Sequence, residues 1–443
     1  MASAAEQLAS NLNFAAFAKA DELKKRIMFT LVALVIYRLG TYIPIPGINP
    51  QALADVFKQQ QSGILGMFNM FSGGAVGRMA IFALNIMPYI SASIIIQLLT
   101  TVSPTLEQLK KEGEQGRRQI NQYTRYGTVL LAALQGYGIA VGLEGAGNIV
   151  TDPGWFFRIT TVITLVGGTV FLMWLGEQIT ARGVGNGISL IIYAGIVAGL
   201  PAALIGTLEL GKQGALSTGL ILALFVVATA VIAFIVFMER AQRRLLVQYP
   251  KRQVGNKMFQ GDASHLPLKL NTAGVIPPIF ASSLLLLPIT VANFSAGQGP
   301  EWLTSVTAML GRGQPLYILI YVSLIIFFAF FYTAVVFNPK ETADNLKKYG
   351  GFLPGIRPGE RTAEYIDYVL TRITVVGAIY LAAVCVLPEI LIAEWGVPFY
   401  FGGTSLLIVV SVTMDTVAQI QSHLLAHQYE GLIKKAKLRG RRR

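Results

Sequence analysis

Few residues in this chain could make or break a covalent bond. His423 and His427 stand one helical turn apart, the spacing of paired zinc ligands. Only Leu424, Leu425 and Ala426 separate them, so the glutamate of a zinc-protease helix is missing, and the third histidine, His265, is remote in sequence. The single cysteine, Cys385, sits in an apolar run; it can close no disulfide within the chain and reads as a small packing hydrophobe. Neither a Gly-x-Ser-x-Gly elbow nor a phosphate-binding P-loop occurs. Arg182-Gly183-Val184-Gly185-Asn186-Gly187 has the glycines of a nucleotide motif, but it comes after an apolar span rather than a strand and reads as a tight turn. Glu177 and Asp415 are the plausible deep carboxylates, a poor supply for a proton-coupled solute pump. That scarcity favours a passive conduit.

The chemistry that remains is the exclusion of water. Ile86 and Ile90 are four residues apart and share one helix face; Ile188 and Ile192 repeat the spacing. Such pairs either pack against lipid and neighbouring helices or line a constriction of branched side chains that seals a pore by dewetting. Spacing alone does not separate the two readings. Pro88 interrupts the apolar stretch of Ile86 and Ile90, and Pro277-Pro278 with Pro288 interrupt another, 272–293; proline removes a donor and kinks a helix. Gln97, Gln135 and Asn271 are polar residues available to bond across a seam between such helices.

The elements that must position these residues are membrane spans. The 443 residues are 53% apolar and 13% charged, with mean hydropathy +0.56, against roughly 25% charged in a soluble domain. Ten segments reach the length of about 20 residues that crosses a bilayer core: 25–43, 79–100, 122–143, 156–177, 188–206, 217–238, 272–293, 316–337, 372–392 and 399–420. The fifth is the weakest, ending at Gly199-Leu200-Pro201. Strand alternation is absent, so the expected class is an all-α bundle. Residues 1–22 lack the apolar core of a cleavable signal, and Lys24-Lys25-Arg26 leads straight into the first span as in an uncleaved signal anchor.

Charge gives the topology. Of 36 Lys and Arg, 28 fall in the N-terminal tail, the loops 101–121, 239–271 and 338–371, the turn at Arg182 and the tail from 421; the opposite loops hold Lys58, Lys212 and Arg312. The positive-inside rule makes both termini and the large basic loops cytoplasmic. Ten spans divide five and five, and an odd number per half forces the second half to enter inverted. In the loop 338–371, Gly355-Ile356-Arg357-Pro358-Gly359 reads as a rigid tip that presents Arg357; Arg243, Arg244, Lys251 and Arg252 form a second basic patch. Either is a solvated loop or a docking surface for RNA or an acidic protein.

Before the second span, Ile64 to Phe71 is apolar yet far too short to cross, and Ser72-Gly73-Gly74 cuts it from the span itself. A half-length segment joined to a span by glycines is a candidate re-entrant element, which survives at membrane depth only inside protein or against a water-filled cavity.

Several stretches in register carry a resemblance. Phe68-Asn69-Met70-Phe71-Ser72-Gly73-Gly74, Met87-Pro88-Tyr89-Ile90-Ser91-Ala92-Ser93, Gly185-Asn186-Gly187-Ile188-Ser189, Asn338-Pro339-Lys340-Glu341-Thr342-Ala343 and Phe401-Gly402-Gly403-Thr404-Ser405 resemble the bacterial SecY family, pore subunits of the protein-conducting translocon. The resemblance runs from about Leu23 into the C-terminal tail. It implies an all-α polytopic membrane protein of ten transmembrane helices, two inverted five-helix halves (23–206 and 207–420) around an hourglass pore, with cytoplasmic tails 1–22 and 421–443. It implies a plug at 62–76 and a pore ring of Ile86, Ile90, Ile188, Ile192, Ile279 and Ile408. It also implies a lateral gate with Ser91, Gln135, Asn271 and Leu287, and motor and ribosome docking through Arg357, Arg243, Arg244, Lys251, Arg252 and Tyr429. SecE, SecG, the SecA ATPase, the ribosome, unfolded preproteins and membrane lipid are the implied partners; no cofactor or metal is implied, and no enzymatic activity. Two rivals remain: a solute transporter, which needs a polar site at midplane, and an intramembrane enzyme, which needs a catalytic constellation.

Overall fold

Apolar runs become helices wherever the backbone must satisfy its own hydrogen bonds in lipid, and the computed structural model obeys that rule. It describes residues 20–60, 69, 72–145, 149–213, 217–250, 252–254, 257–259, 263–294, 314–395 and 403–440. The helices are α1 (Asp21–Gly40), α2 (Pro50–Gln60), α3 (Met87–Val102), α4 (Pro104–Lys111), α5 (Glu114–Gly145), α6 (Trp155–Arg182), α7 (Gly187–Lys212) and α8 (Thr218–Arg240). They continue with α9 (Ile276–Phe294), α10 (Pro315–Val336), α11 (Pro339–Lys348), α12 (Glu360–Trp395) and α13 (Gly403–Gly440). Each of the ten expected spans carries a helix. Among the described residues seven helices are long and apolar enough to cross a membrane by themselves, or eight if the α3–α4 pair, bent by 98°, is one span. The protein is therefore a multi-pass membrane protein.

Four features differ from the sequence reading. Residues 72–86 are a chain of turns, so the second span starts as a helix only at Met87. Met79 and Asn85 take positive φ, +42° and +50°, which no helix tolerates. Pro88 accordingly opens α3 from its first turn instead of kinking a longer helix, and Pro277-Pro278 likewise fall in the first turn of α9. Conversely, α7 runs on through Pro201 to Lys212 where the sequence reads as a stop. The fourth difference is strand. The loop 239–271 contains β1 (Gln242–Gln248), β2 (Arg252–Val254), β3 (Lys257–Phe259) and β4 (Ala263–Lys269), with β1 antiparallel to β4 and β2 to β3. Its alternation is short: only Leu245 and Val247 of β1 are buried, two residues too few to read from sequence.

Packing divides the chain into two compact units. One comprises Met1–Ile205, Leu286–Ala308 and Ile408–Arg443; the other comprises Gly206–Leu285 and Met309–Leu407. In the first, the non-helical stretch is shielded rather than left to lipid. Ile45 N–H donates to the Met79 carbonyl at 2.9 Å and Ile81 N–H to Ile43 at 3.0 Å. The Phe82 ring stacks on Tyr37 of α1 and on Phe171 of α6, at 6.2 and 5.8 Å between centroids. In the second unit, Gln248 and Phe352 exchange two backbone hydrogen bonds of 2.9 Å. Beneath them Leu245, Val247, Leu268, Leu353 and Ile366 form one buried cluster. The two basic loops are thus a single folded body.

Candidate functional site

The glycine joint comes first because it redirects the chain. Gly73 and Gly74 sit at φ +65° and +85°, a region in which only glycine is unstrained. The Ser72 hydroxyl donates to the Asn69 carbonyl at 3.1 Å and accepts from Val76 N–H at 3.2 Å, while Asn69 Oδ1 accepts from Gly77 N–H at 2.6 Å. The backbone groups that a break would orphan are therefore satisfied locally. Of the expected plug residues, Asn69, Ser72, Gly73 and Gly74 are described; Phe68, Met70 and Phe71 lie outside the described residues.

Ile86 precedes the first turn of α3 and is 1% exposed; Ile90, whose N–H donates to the Ile86 carbonyl at 3.1 Å, is 6% exposed. Ile192 is 4% and Ile408 1% exposed, while Ile188 and Ile279 are half-buried. None of the six is classed with the exposed apolar residues that face the surroundings, such as Leu39 or Ile163. Burial removes the lipid-facing reading for Ile86, Ile90, Ile192 and Ile408 and leaves packing or constriction.

Ile188 and Ile192 are positioned by the turn between α6 and α7. Gly185 sits at φ +88° and its N–H donates to Gln419 Oε1 of α13 at 2.9 Å. Val184 N–H donates to Thr30 Oγ1 of α1 at 3.0 Å, and Gly187 N–H to Thr180 Oγ1 at 2.9 Å. Asn186 Oδ1 accepts from Ile188 N–H at 3.1 Å, capping α7. The glycine-rich stretch is the tight turn that its sequence implied, tied to three helices.

The gate candidates do not share one pattern. Asn271 Nδ2 donates to Glu239 Oε1 at 2.6 Å and to the Gly274 carbonyl at 3.1 Å. Ser91 is 5% exposed, Gln135 is half-buried with an unpaired buried Oε1, and the Leu287 side chain lies outside the described residues. Gln97 bonds within its own helix, to Ser93 at 3.3 Å. Sequence reasoning missed Arg125: its guanidinium forks onto Glu177, with Nη2 2.8 Å from Oε2 and Nε 3.1 Å from Oε1. Glu177, read from sequence as a deep carboxylate, is part-exposed and is neutralised by a helix neighbour, and only a carboxylate–arginine pair 52 residues apart in sequence could have signalled it.

On the basic body, Arg357 is exposed at the mouth of a 390 Å³ cleft lined with Gly355, Ile356, Arg361, Glu364, Tyr365 and Tyr368. Its backbone is braced: Thr362 Oγ1 donates to the Arg357 carbonyl at 3.0 Å, and Gly355 and Gly359 take φ +79° and +106°. Arg243 and Arg244 are exposed on β1. Arg252 belongs to β2, Lys251 lies outside the described residues, and Tyr429 falls within α13; the side chains of Arg252 and Tyr429 are not described. Among the described residues no cluster of His, Cys, Asp and Glu has the form of a metal site.

Comparison with known proteins decides the family. The family model described as SecY matches residues 80–417. The chain belongs to the SecY family. A protein translocase subunit SecY of Rickettsia conorii is 59% identical over 423 residues, covering 95% of this chain and 98% of the relative. The SecY of Escherichia coli K12 is likewise 59% identical, covering 95% and 96%. A solved SecY described as having a plug domain that stabilises the closed translocation channel superposes with a TM-score of 0.67 over 91% of this chain and 93% of its own, at 18% identity. That likeness is one of fold. The chain is a protein translocase subunit of that family.

Proposed function

We propose that this SecY-family chain is the central subunit of the Sec translocase, passing unfolded secretory proteins across the bacterial inner membrane and releasing apolar segments sideways into lipid. The pore ring is Ile86, Ile90, Ile188, Ile192, Ile279 and Ile408, and the segment 62–76 is its plug. The observation that carries this reading is the burial of Ile86, Ile90, Ile192 and Ile408, at most 6% exposed each, in a chain of the SecY family whose relatives are protein translocase subunits.

The physical logic is that a closed pore must stop ions yet let an extended chain through. A collar of branched aliphatic side chains sheds water when narrow and offers no charge to trap the passing polypeptide. A signal helix supplies the differential affinity that shifts the gate towards its open state, through Ser91, Gln135, Asn271 and Leu287. The five-helix halves 23–206 and 207–420 are inverted about the pore. Both termini and the basic body are cytoplasmic, as the excess of Lys and Arg there requires. That body docks the SecA motor and the ribosome, with Arg357 foremost and Arg243, Arg244, Lys251, Arg252 and Tyr429 contributing. SecE and SecG complete the heterotrimer, and energy comes from the partners, not from chemistry in this chain.

The test is replacement of Ile86, Ile192 and Ile408 together by Gly or Ser. Ion conductance of the purified complex in planar bilayers rises if these side chains form the seal. Unchanged conductance returns them to ordinary packing.

A further inference from the structure

Arg38 and Arg78 converge on one backbone oxygen. Arg38, in the last turn of α1, donates through Nη1 to the Gly73 carbonyl, and Arg78 donates to the same oxygen through Nη2 at 3.1 Å. Arg78 Nε also donates to the Thr41 carbonyl at 3.1 Å, and Arg38 Nη2 to the Tyr42 hydroxyl at 2.9 Å. The Tyr42 ring centre lies 4.9 Å from the Arg38 guanidinium carbon and 4.1 Å from that of Arg78. Among the described residues neither arginine has a carboxylate partner.

Two neighbouring cations repel and resist desolvation, so the arrangement needs negative potential from another source. Carbonyl oxygens and the face of Tyr42 supply it. A carbonyl is a weaker anchor for guanidinium than a carboxylate, which makes the bond firm enough to hold a backbone and weak enough to yield. Gly73 has little freedom to leave by itself. It sits at φ +65°, and a Cβ there would stand 3.0 Å from Arg38 Nη1 and 3.2 Å from Gly195 Cα of α7.

We propose that Arg38 and Arg78 are positioning residues, a two-pronged latch that fixes the Ser72–Gly74 joint to α1 and so sets how readily the plug leaves the resting channel. The latch rests on the reading of 62–76 as the plug. Because both prongs reach the same oxygen, either one alone retains part of the hold.

The experiment compares Arg38→Lys, Arg78→Lys and the double substitution in the purified heterotrimer; lysine keeps the charge and loses the guanidinium fork. Two quantities are read: resting conductance in planar bilayers, and labelling by a water-soluble maleimide of Ala75→Cys in a Cys385→Ala background. Ala75 is fully buried beside the joint. Each single substitution changes both by less than about 3-fold, and the double raises both about 10- to 100-fold, the population change expected when a charge-assisted hydrogen bond is lost. An excess of the double over the product of the singles marks a shared acceptor, which general loosening of packing does not produce. Wild-type values in the double overturn the latch. Removal of 62–76 is the control: unchanged conductance there overturns the plug reading itself, whereas raised conductance there with a silent double overturns the latch alone. If the double lysine complex does not assemble, Arg78→Lys with Tyr42→Phe weakens both prongs and leaves Arg38 in place. Labelling about 3- to 10-fold above wild type then supports the latch, and wild-type labelling overturns it.

Discussion

Replacing Ile366 by Ala tests whether the two basic loops are one body. Ile366 lies on α12 with no exposed surface and packs in the cluster of Leu245, Val247, Leu268 and Leu353. Truncation to Ala removes three carbon groups, about 2.4 kcal/mol of transfer free energy at ~0.8 kcal/mol each, and leaves a cavity that adds a further ~1 kcal/mol. A local cost of about 3 kcal/mol corresponds to a factor on the order of 100 in the opening equilibrium. The reporters are the amides of Gln248 and Phe352, which hydrogen-bond across the two loops at 2.9 Å. If the cluster clamps the loops, amide hydrogen exchange at both positions accelerates by about 100-fold together, while amides of α10 stay protected. Motor-stimulated ATP hydrolysis falls with them, because Arg357 and Arg243 lose their common frame. Acceleration at one amide without the other, or none at either, would refute the shared body, since one cavity must loosen both sides of a single ladder.

Other substitutions probe separate links. Arg357→Glu should abolish motor-driven export while the heterotrimer still assembles on gel filtration; export at the wild-type rate would remove Arg357 from docking. Thr30→Val leaves the buried Val184 N–H without its acceptor and should lower the complex's stability by about 1–3 kcal/mol, read as a drop in melting temperature that Thr30→Ser restores. Glu177→Gln strands Arg125, but both side chains are over a third exposed, 34% and 43%, so water screens the loss to about 1 kcal/mol or less. A larger drop would mean that the pair is more deeply desolvated than this geometry allows.

Much of the fold is written in composition. The ten helical positions come from unbroken apolar runs, and Gly73-Gly74 announced a change of direction that positive φ at both residues realises. The spacing of Ile86 with Ile90 and of Ile188 with Ile192 allowed lipid contact, helix packing or a constriction, and the burial of Ile86, Ile90 and Ile192, visible only in tertiary packing, leaves the last two. The stretch 79–86 misled because its apolar composition is that of a span. Hydrogen bonds from Ile45 to Met79 and from Ile81 to Ile43, a tertiary pairing of two segments, replace the helical ladder there. The β1–β4 ladder was hidden for the opposite reason: its polar face and short length dilute the two-residue period. Nothing local marks the roles of Arg38 and Arg125, because their acceptors, Gly73 and Glu177, lie 35 and 52 residues away.

The two kinds of packing in this chain should fail in opposite ways. In water, burying apolar surface drives the Leu245, Val247, Leu268, Leu353 and Ile366 cluster together, so removing volume is what hurts. Between helices in lipid the surrounding tails are as apolar as the side chains, and association depends on close approach and on hydrogen bonds at the ends. Gly168 of α6 shows that approach: an added Cβ would fall on the Ile81 carbonyl, and the Gly187 position is similarly closed by Gly176. Gly168→Ala adds one methyl group that cannot rotate away from a backbone oxygen, so the irregular stretch around Ile81 must move bodily. Overpacking of this kind costs about 1–3 kcal/mol, and the strain falls on the segment that precedes Ile86. The substitution should therefore raise resting ion conductance while leaving exchange at Gln248 and Phe352 unchanged. Leu172→Ala, a truncation of a buried residue on the same helix, should raise conductance less than the single added methyl. If the truncation proves the more damaging of the two, close backbone approach is not what holds these helices together.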